Sequence, residues 1–404
     1  MKVTHLSFSK SGGAGAVASN LSAALVSLGI DSSIQNSIDS DLRDKPFAIP
    51  VHTLAAGLDE YLIKNQAFSN PVSFLREGLY TKLDSSIDTS DILHLHWTPG
   101  QVTMERVGEL LDEGKSIVWT LHDMWPFTAG CHYSGDCYGY QSGCNTCPAV
   151  KPVFQNLATK TFQVKQEVFR SPRRNLVFVA PSEWMKSKAQ ASSLLANQRI
   201  EVIPNPVEAV DTKGFVSASE FKSQLGITEN SFLILFSSAN LGDKRKNLSE
   251  VIEALGNLNR LKPALNLVLL LVGGGTLPEP KDLPIKQLGF LRGDALKSAI
   301  ANADVSVNFS KEENLSMAGI EALAVGTPLV VLNSGGNAEL VINGESGYLV
   351  QDATEFQTRI EELAGNRSLV TQMGQAAKED FSSRFEATVV ASRYLDLYKS
   401  LLQK

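Results

Sequence analysis

Two apolar runs, Val305–Phe309 and Leu329–Leu332, flank a segment with room for one short helix. No other feature constrains the fold as much. Strands joined through a helix pair in parallel, and parallel strands are buried on both faces in α/β folds. The helix is punctuated at both ends: Ser316 can cap free amides near Asn314 to Ser316, and Gly326 with Pro328 just beyond stops it. The loop before it therefore sits at a strand's carboxyl end and a helix's amino end. There α/β sheets bind ligands and backbone dipoles favour phosphate.

Two carboxylates stand eight residues apart in this stretch, Glu313 on the loop and Glu321 in the helix. A carboxylate only accepts hydrogen bonds, which suits the paired hydroxyls of a sugar or ribose. Helical rise puts Glu321 about 7 to 8 Å from the helix start, so one nucleotide-sugar can touch both acids and the helix amino end. Acids also collect at helix starts as a solvated turn, and Glu312 is read that way.

The run Glu313-Asn-Leu-Ser-Met-Ala-Gly-Ile-Glu321, followed by Ala-Leu-Ala-Val-Gly-Thr-Pro, resembles the E-x7-E signature of retaining GT-B glycosyltransferases of family 4. The run Thr-Leu-His122-Asp-Met-Trp-Pro-Phe-Thr-Ala-Gly-Cys-His-Tyr resembles a subgroup from exopolysaccharide and lipopolysaccharide pathways. The resemblance implies two facing Rossmann-like doubly wound domains with an interdomain cleft. It gives Glu313 the donor-sugar hydroxyls, Glu321 the ribose, and the amides of Asn314, Leu315 and Ser316 the sugar and diphosphate. It places His122 beside the donor sugar, Gly12, Gly13 and Gly15 at the diphosphate, Lys246 on the leaving phosphates, and Phe290 and Leu291 at the nucleobase. The family's arginine falls on Leu241, a departure; Lys244 or Arg245 can substitute for it. No metal is implied for catalysis.

The residues support parts of this independently. A chain of 404 residues is long enough for two domains, read as 1–204, with a tail helix of about 387–404 packing back, and 205–386. Pro204 and Pro206 bracket Asn205 in a stiff linker. All six His, all four Trp and all four Cys precede residue 185, so the two domains carry different chemistry. A net charge of −6 argues against nucleic acid as partner. No apolar run reaches the roughly 18 residues of a span, and the start lacks a signal-peptide core. The chain is expected in the cytoplasm, with peripheral contact at the inner face of the membrane as a further option.

The amino-terminal pattern is a strand, Val3–Phe8, a glycine turn over Ser11–Ala18, and a helix from Ala16 to Leu28. Gly13-x-Gly15-x-x-Ala18 matches a loose dinucleotide fingerprint. However, the second strand, Ser32–Ile34, ends in Gln35-Asn36 where a dinucleotide site wants an acid. The glycines can admit a phosphate or acceptor, or serve a tight turn alone. Asp39-Ser-Asp41 reads as solvated loop. Strand Ile92–Trp97 puts His94 and His96 on one face; His96 is a site candidate and His94 a structural residue. A strand over Ser116–His122 delivers His122 to its carboxyl end.

Cys131, Cys137, Cys144 and Cys147 form a C-x5-C-x6-C-x2-C cluster. They can hold a structural zinc, with no open position for water, or remain reduced thiols. Lys151–Asn175 is a basic stretch read as a solvated helix, or else a surface for an anionic leaflet or an acceptor diphosphate. The function expected is transfer of a sugar from a UDP- or GDP-sugar to a glycan or lipid-linked acceptor in cell-surface polysaccharide synthesis. The alternatives are an inactive sugar-nucleotide-binding protein and, further off, an NAD-dependent oxidoreductase.

Overall fold

The computed structural model describes residues 1–10, 12–36, 57–59, 71–74, 83, 85–275 and 282–403. Asp39 to Asp41 lie outside them, as does most of 45–90. The chain divides into two compact units, Met1–Pro206 with Ala387–Lys404, and Val207–Glu386.

The first unit holds a six-stranded parallel sheet in the order β2-β1-β3-β4-β5-β6. Its strands are β1 Lys2–Leu6, β2 Asp31–Gln35, β3 Ile92–Leu95, β4 Ser116–Thr120, β5 Leu176–Ala180 and β6 Ile200–Val202. Strands β3, β4 and β5 are buried at every position, as covered parallel strands must be. The helices are α1 Gly12–Ser27, α2 Met104–Asp112, α3 Gln155–Phe169 and α4 Glu183–Ala191. The C-terminal helix, Ala387–Leu402, packs on the same sheet face as α1, with Val390, Tyr394 and Tyr398 against Val3, Leu21 and Ile92. The neighbouring strands β1 and β3 flank the point where the winding reverses, the place where such sheets take ligands.

Two readings need correction here. Helix α1 begins at Gly12, so Gly12, Gly13 and Gly15 form its first turn rather than a loop ahead of it. A Cβ on Gly15 would stand 2.4 Å from the Ser9 carbonyl oxygen, so that glycine is demanded by backbone packing. The basic stretch is not simply solvated either. Helix α3 turns Ala158, Phe162, Lys165 and Phe169 inward, and Lys165 is fully buried. Its ammonium donates to the Trp125 carbonyl at 2.6 Å and the Thr128 carbonyl at 3.1 Å, 3.6 Å from the Trp125 ring centroid. With Phe162, Val168 and Phe169 in the core, α3 has given its apolar face to its own domain rather than to a lipid surface.

The second unit carries another parallel six-stranded sheet, ordered β12-β11-β10-β7-β8-β9. Counted within the unit this is the 3-2-1-4-5-6 doubly wound order. Its strands are β7 Phe232–Asn240, β8 Leu267–Gly274, β9 Ile285–Gly289, β10 Val305–Asn308, β11 Leu329–Leu332 and β12 Gly347–Val350. Helices α5 Ala218–Gln224, α6 Leu248–Leu261, α7 Gly293–Ala301, α8 Met317–Val325, α9 Ala353–Gly365 and α10 Arg367–Arg384 cover it. Helix α8 is capped as its sequence requires: the Ser316 hydroxyl accepts from the Gly319 amide at 3.3 Å, and Gly326 closes it at φ 81°. Here the reversal falls between β7 and β10. No helix among the described residues is long and apolar enough to cross a membrane.

Candidate active site

The two loops at the carboxyl ends of β7 and β10 meet at that reversal. Lys246, in the turn after β7, donates to the Glu313 carboxylate on the loop after β10. Loop joins loop again where the Lys311 amide donates to the Arg245 carbonyl at 2.8 Å. A third element braces Glu313 from behind: Gly335 follows β11, and a Cβ there would sit 2.4 Å from the Glu313 carbonyl oxygen. The Gly336 amide donates to that same oxygen at 2.8 Å. Burial pushes the Glu313 carboxyl upward, but Lys246, Arg245 and the Asn314 amide outweigh it and hold the group below the usual carboxylate range.

Glu321 is treated differently by its surroundings. Burial raises its pKa, against a smaller opposing pull from the Lys297 ammonium. One acid is thus ion-paired and firmly ionised, while the other is desolvated and costly to leave without hydrogen-bond donors, a demand sugar hydroxyls meet. Asn314, Leu315 and Ser316 are buried beside Glu313.

The other candidates of the second domain lie in the same unit. Arg245 is tied to Asp243 by an ion pair of 2.7 Å, while Lys244 is exposed. Leu241, where an arginine was sought, is a core residue packed with Leu248 and Val251, so its departure answers a packing need. Phe290 is 55% exposed at the end of β9 with the Arg292 guanidinium over its ring, and Leu291 packs against the core beneath.

In the first unit, the carboxyl ends of β1, β3 and β4 open on a cavity of about 610 Å³ lined by Gly12, Gly13, Gly15, Trp97, His122 and Asp123, among others. Behind its wall runs a line of imidazoles. His5 Nδ1 meets His96 Nε2 at 2.9 Å, and His96 Nδ1 meets His122 Nε2 at 2.9 Å. Burial lowers all three: His5 to about 3, His122 to about 4, and His96 well below its ordinary value. The line is therefore neutral at pH 7, with one proton per ring. His5 Nε2 is buried without a partner. A bare N–H there costs more than a bare lone pair, so His5 donates to His96, His96 donates to His122, and His122 carries its proton on Nδ1.

His5, His94 and His96 also form the one set of three metal-type ligands within 4.8 Å of each other among the described residues. Hydrogen bonding argues against a metal. His94 is engaged on both nitrogens, by Tyr398 at 2.7 Å and Thr120 at 2.8 Å, and His96 is engaged on both as well.

Sequence reading passed over His132, Ser73 and the role of His5. Asp123 does not hydrogen-bond His122; it accepts from His132 Nδ1 at 2.5 Å, Trp97 Nε1 at 3.0 Å and the Trp125 amide at 2.8 Å. His132 Nε2 meets the Ser73 hydroxyl at 2.8 Å. The signal for His5 was available, because it sits in β1 directly opposite His94 of β3. Ser73 gave none, since an isolated bridge between Val72 and Cys131 brings it to His132.

Residues 217–380 match the family described as glycosyl transferases group 1. These residues make up nearly all of the second unit, which therefore carries a group 1 glycosyltransferase domain. This glycosyltransferase is 23% identical over 370 residues to the putative glycosyltransferase EpsD of Bacillus subtilis, covering 87% of this chain and 89% of that one. It is 22% identical to the putative colanic acid biosynthesis glycosyl transferase WcaC of Escherichia coli, over 77% and 75% of the two chains. Its fold matches Anabaena Alr3699/HepE, solved in complex with UDP-glucose, with a TM-score of 0.63 at 16% identity over 99% and 100% of the chains. The fold is GT-B, and both Rossmann-like sheets described above belong to it.

Proposed function

We propose that this glycosyltransferase moves a sugar, with retention of anomeric configuration, from a UDP- or GDP-sugar to a glycan or lipid-linked acceptor in cell-surface polysaccharide synthesis. The observation that carries the reading is the Lys246–Glu313 pair at the β7/β10 reversal, with desolvated Glu321 on the adjoining helix. The relative named for colanic acid synthesis and the fold neighbour holding UDP-glucose support the pathway and donor class.

In this reading Glu313 accepts from donor-sugar hydroxyls, and Glu321 from the ribose. Lys246, already held at the site by Glu313, stabilises the charge that gathers on the diphosphate as the C1–oxygen bond breaks. The acceptor oxygen bonds to C1 on the face the phosphate leaves, and the departing phosphate oxygen takes the acceptor's hydroxyl proton. The first unit's cavity takes the acceptor, with His122 as a neutral imidazole that positions by donating from Nδ1. Gly12, Gly13 and Gly15 line the same cavity.

Incubation with a panel of nucleotide-sugars, with free nucleoside diphosphate and product anomer both measured, tests the proposal. Release of UDP or GDP with a retained anomer supports it. An inverted anomer overturns the retaining step, and tight binding without any release marks an inactive nucleotide-sugar receptor.

A further inference from the structure

The loop between β4 and α3 brings Cys131, Cys137, Cys144 and Cys147 around a single cavity of about 20 Å³. Cys131 and Cys147 lie close enough to influence each other's ionisation. The Cys137 sulfur accepts from the Gly139 amide at 3.4 Å. An amide aimed at sulfur favours a thiolate, since a neutral thiol is a poor acceptor. Local backbone serves the same end. Gly143 at φ 117° and Cys144 at φ 53° turn the chain sharply, and Gln155 clamps Cys147 by its amide and its carbonyl, both at 2.7 Å.

We infer that these four cysteines are the ligands of one tetrahedral zinc ion that fastens this loop. No open coordination position remains, so the ion is structural. A cavity of this size has room for one small guest. No three of the sulfurs lie within 4.8 Å of one another. In a tetrahedral shell with zinc–sulfur bonds of about 2.3 Å they stand about 3.8 Å apart. Binding therefore draws the sulfurs closer together, a movement made by side-chain torsion. Four thiolates around one Zn²⁺ leave a net charge of −2, and the buried Lys165 ammonium lies close enough to act on Cys144. That cation complements the centre and gives a buried lysine in this core an electrostatic purpose. The same loop carries His132, so the ion also sets the far wall of the first unit's cavity.

Elemental analysis of the full-length protein, purified without added metal or chelator, tests this. About one zinc per chain is expected. It should be released by a mercurial thiol reagent in step with thiol modification, and Cys137→Ser and Cys144→Ser should each cut the content at least fivefold. Limited proteolysis reads the loop should those variants fold poorly: stripping zinc from the wild type should open new cleavage between 131 and 147. A folded, metal-free wild type with four titratable thiols and no change on adding zinc overturns the inference. So does a disulfide between Cys131 and Cys147, or iron in place of zinc.

Discussion

His96 Nδ1 stands 2.9 Å from His122 Nε2, and both rings are neutral at pH 7 because burial holds their pKa values down. His96 is therefore a positioning residue: it fixes which nitrogen of His122 carries the proton.

Nitrogen NMR of the full chain at pH 7 should show His122 protonated on Nδ1. His96→Phe removes the donor, and kcat should fall about tenfold or more with little change in acceptor KM. His96→Asn keeps an N–H near the Nδ1 position and should recover much of the loss. Equal damage in both variants would make His96 a packing residue only.

Acid should unfold the first unit early. His5 and His122 have folded-state values of about 3 and about 4, against about 6.5 for an unfolded histidine. Their neutral burial contributes stability in full above about pH 6.5, and it is lost as pH falls toward those folded values. Each such histidine costs about 1.4 kcal/mol per pH unit in that window. Urea midpoints measured from pH 7.5 to 5 should be flat above 6.5 and drop steeply below it. A flat profile to pH 5 would contradict the buried neutral line.

Lys165→Met should destabilise the fold by about 2 to 3 kcal/mol, because the Trp125 and Thr128 carbonyls lose their donor inside the core. Denaturant titration checks it. A neutral substitution would mean that water satisfies both carbonyls.

Much of this was legible in the chain. Apolar runs announced the strands, and Ser316 with Gly326 bracketed α8. Alternation in β3 placed His94 and His96 together, and their rings stack at 4.2 Å. Lys165 was misread because its charge outweighed its position, although it falls on the stripe of Ala158, Phe162 and Phe169 at helical spacing. The Gly12 to Gly15 run reads as a turn because it matches a phosphate-loop fingerprint, yet glycine's helix penalty is small at a first turn, and the run opens α1. The Ser73–His132–Asp123 line was beyond reach, since 50 residues part Asp123 from Ser73 and nothing local pairs them.

Glu321 should act on donor affinity and do so with its own pH dependence. Its carboxyl is raised above the usual range by burial. Ribose binding should therefore weaken on acidification sooner than it would with an ordinary glutamate. Donor KM for the wild type should rise as pH falls from 7, while Glu321→Gln should start about tenfold higher and stay level. Parallel profiles would remove Glu321 from the ribose.

The account rests most heavily on Glu313 and Lys246, and steady-state release of nucleoside diphosphate from the preferred donor tests both at once. Glu313→Ala and Lys246→Met should each lower turnover by about 100-fold or more, with circular dichroism showing both variants folded. Turnover at the wild-type rate in either folded variant would contradict the account.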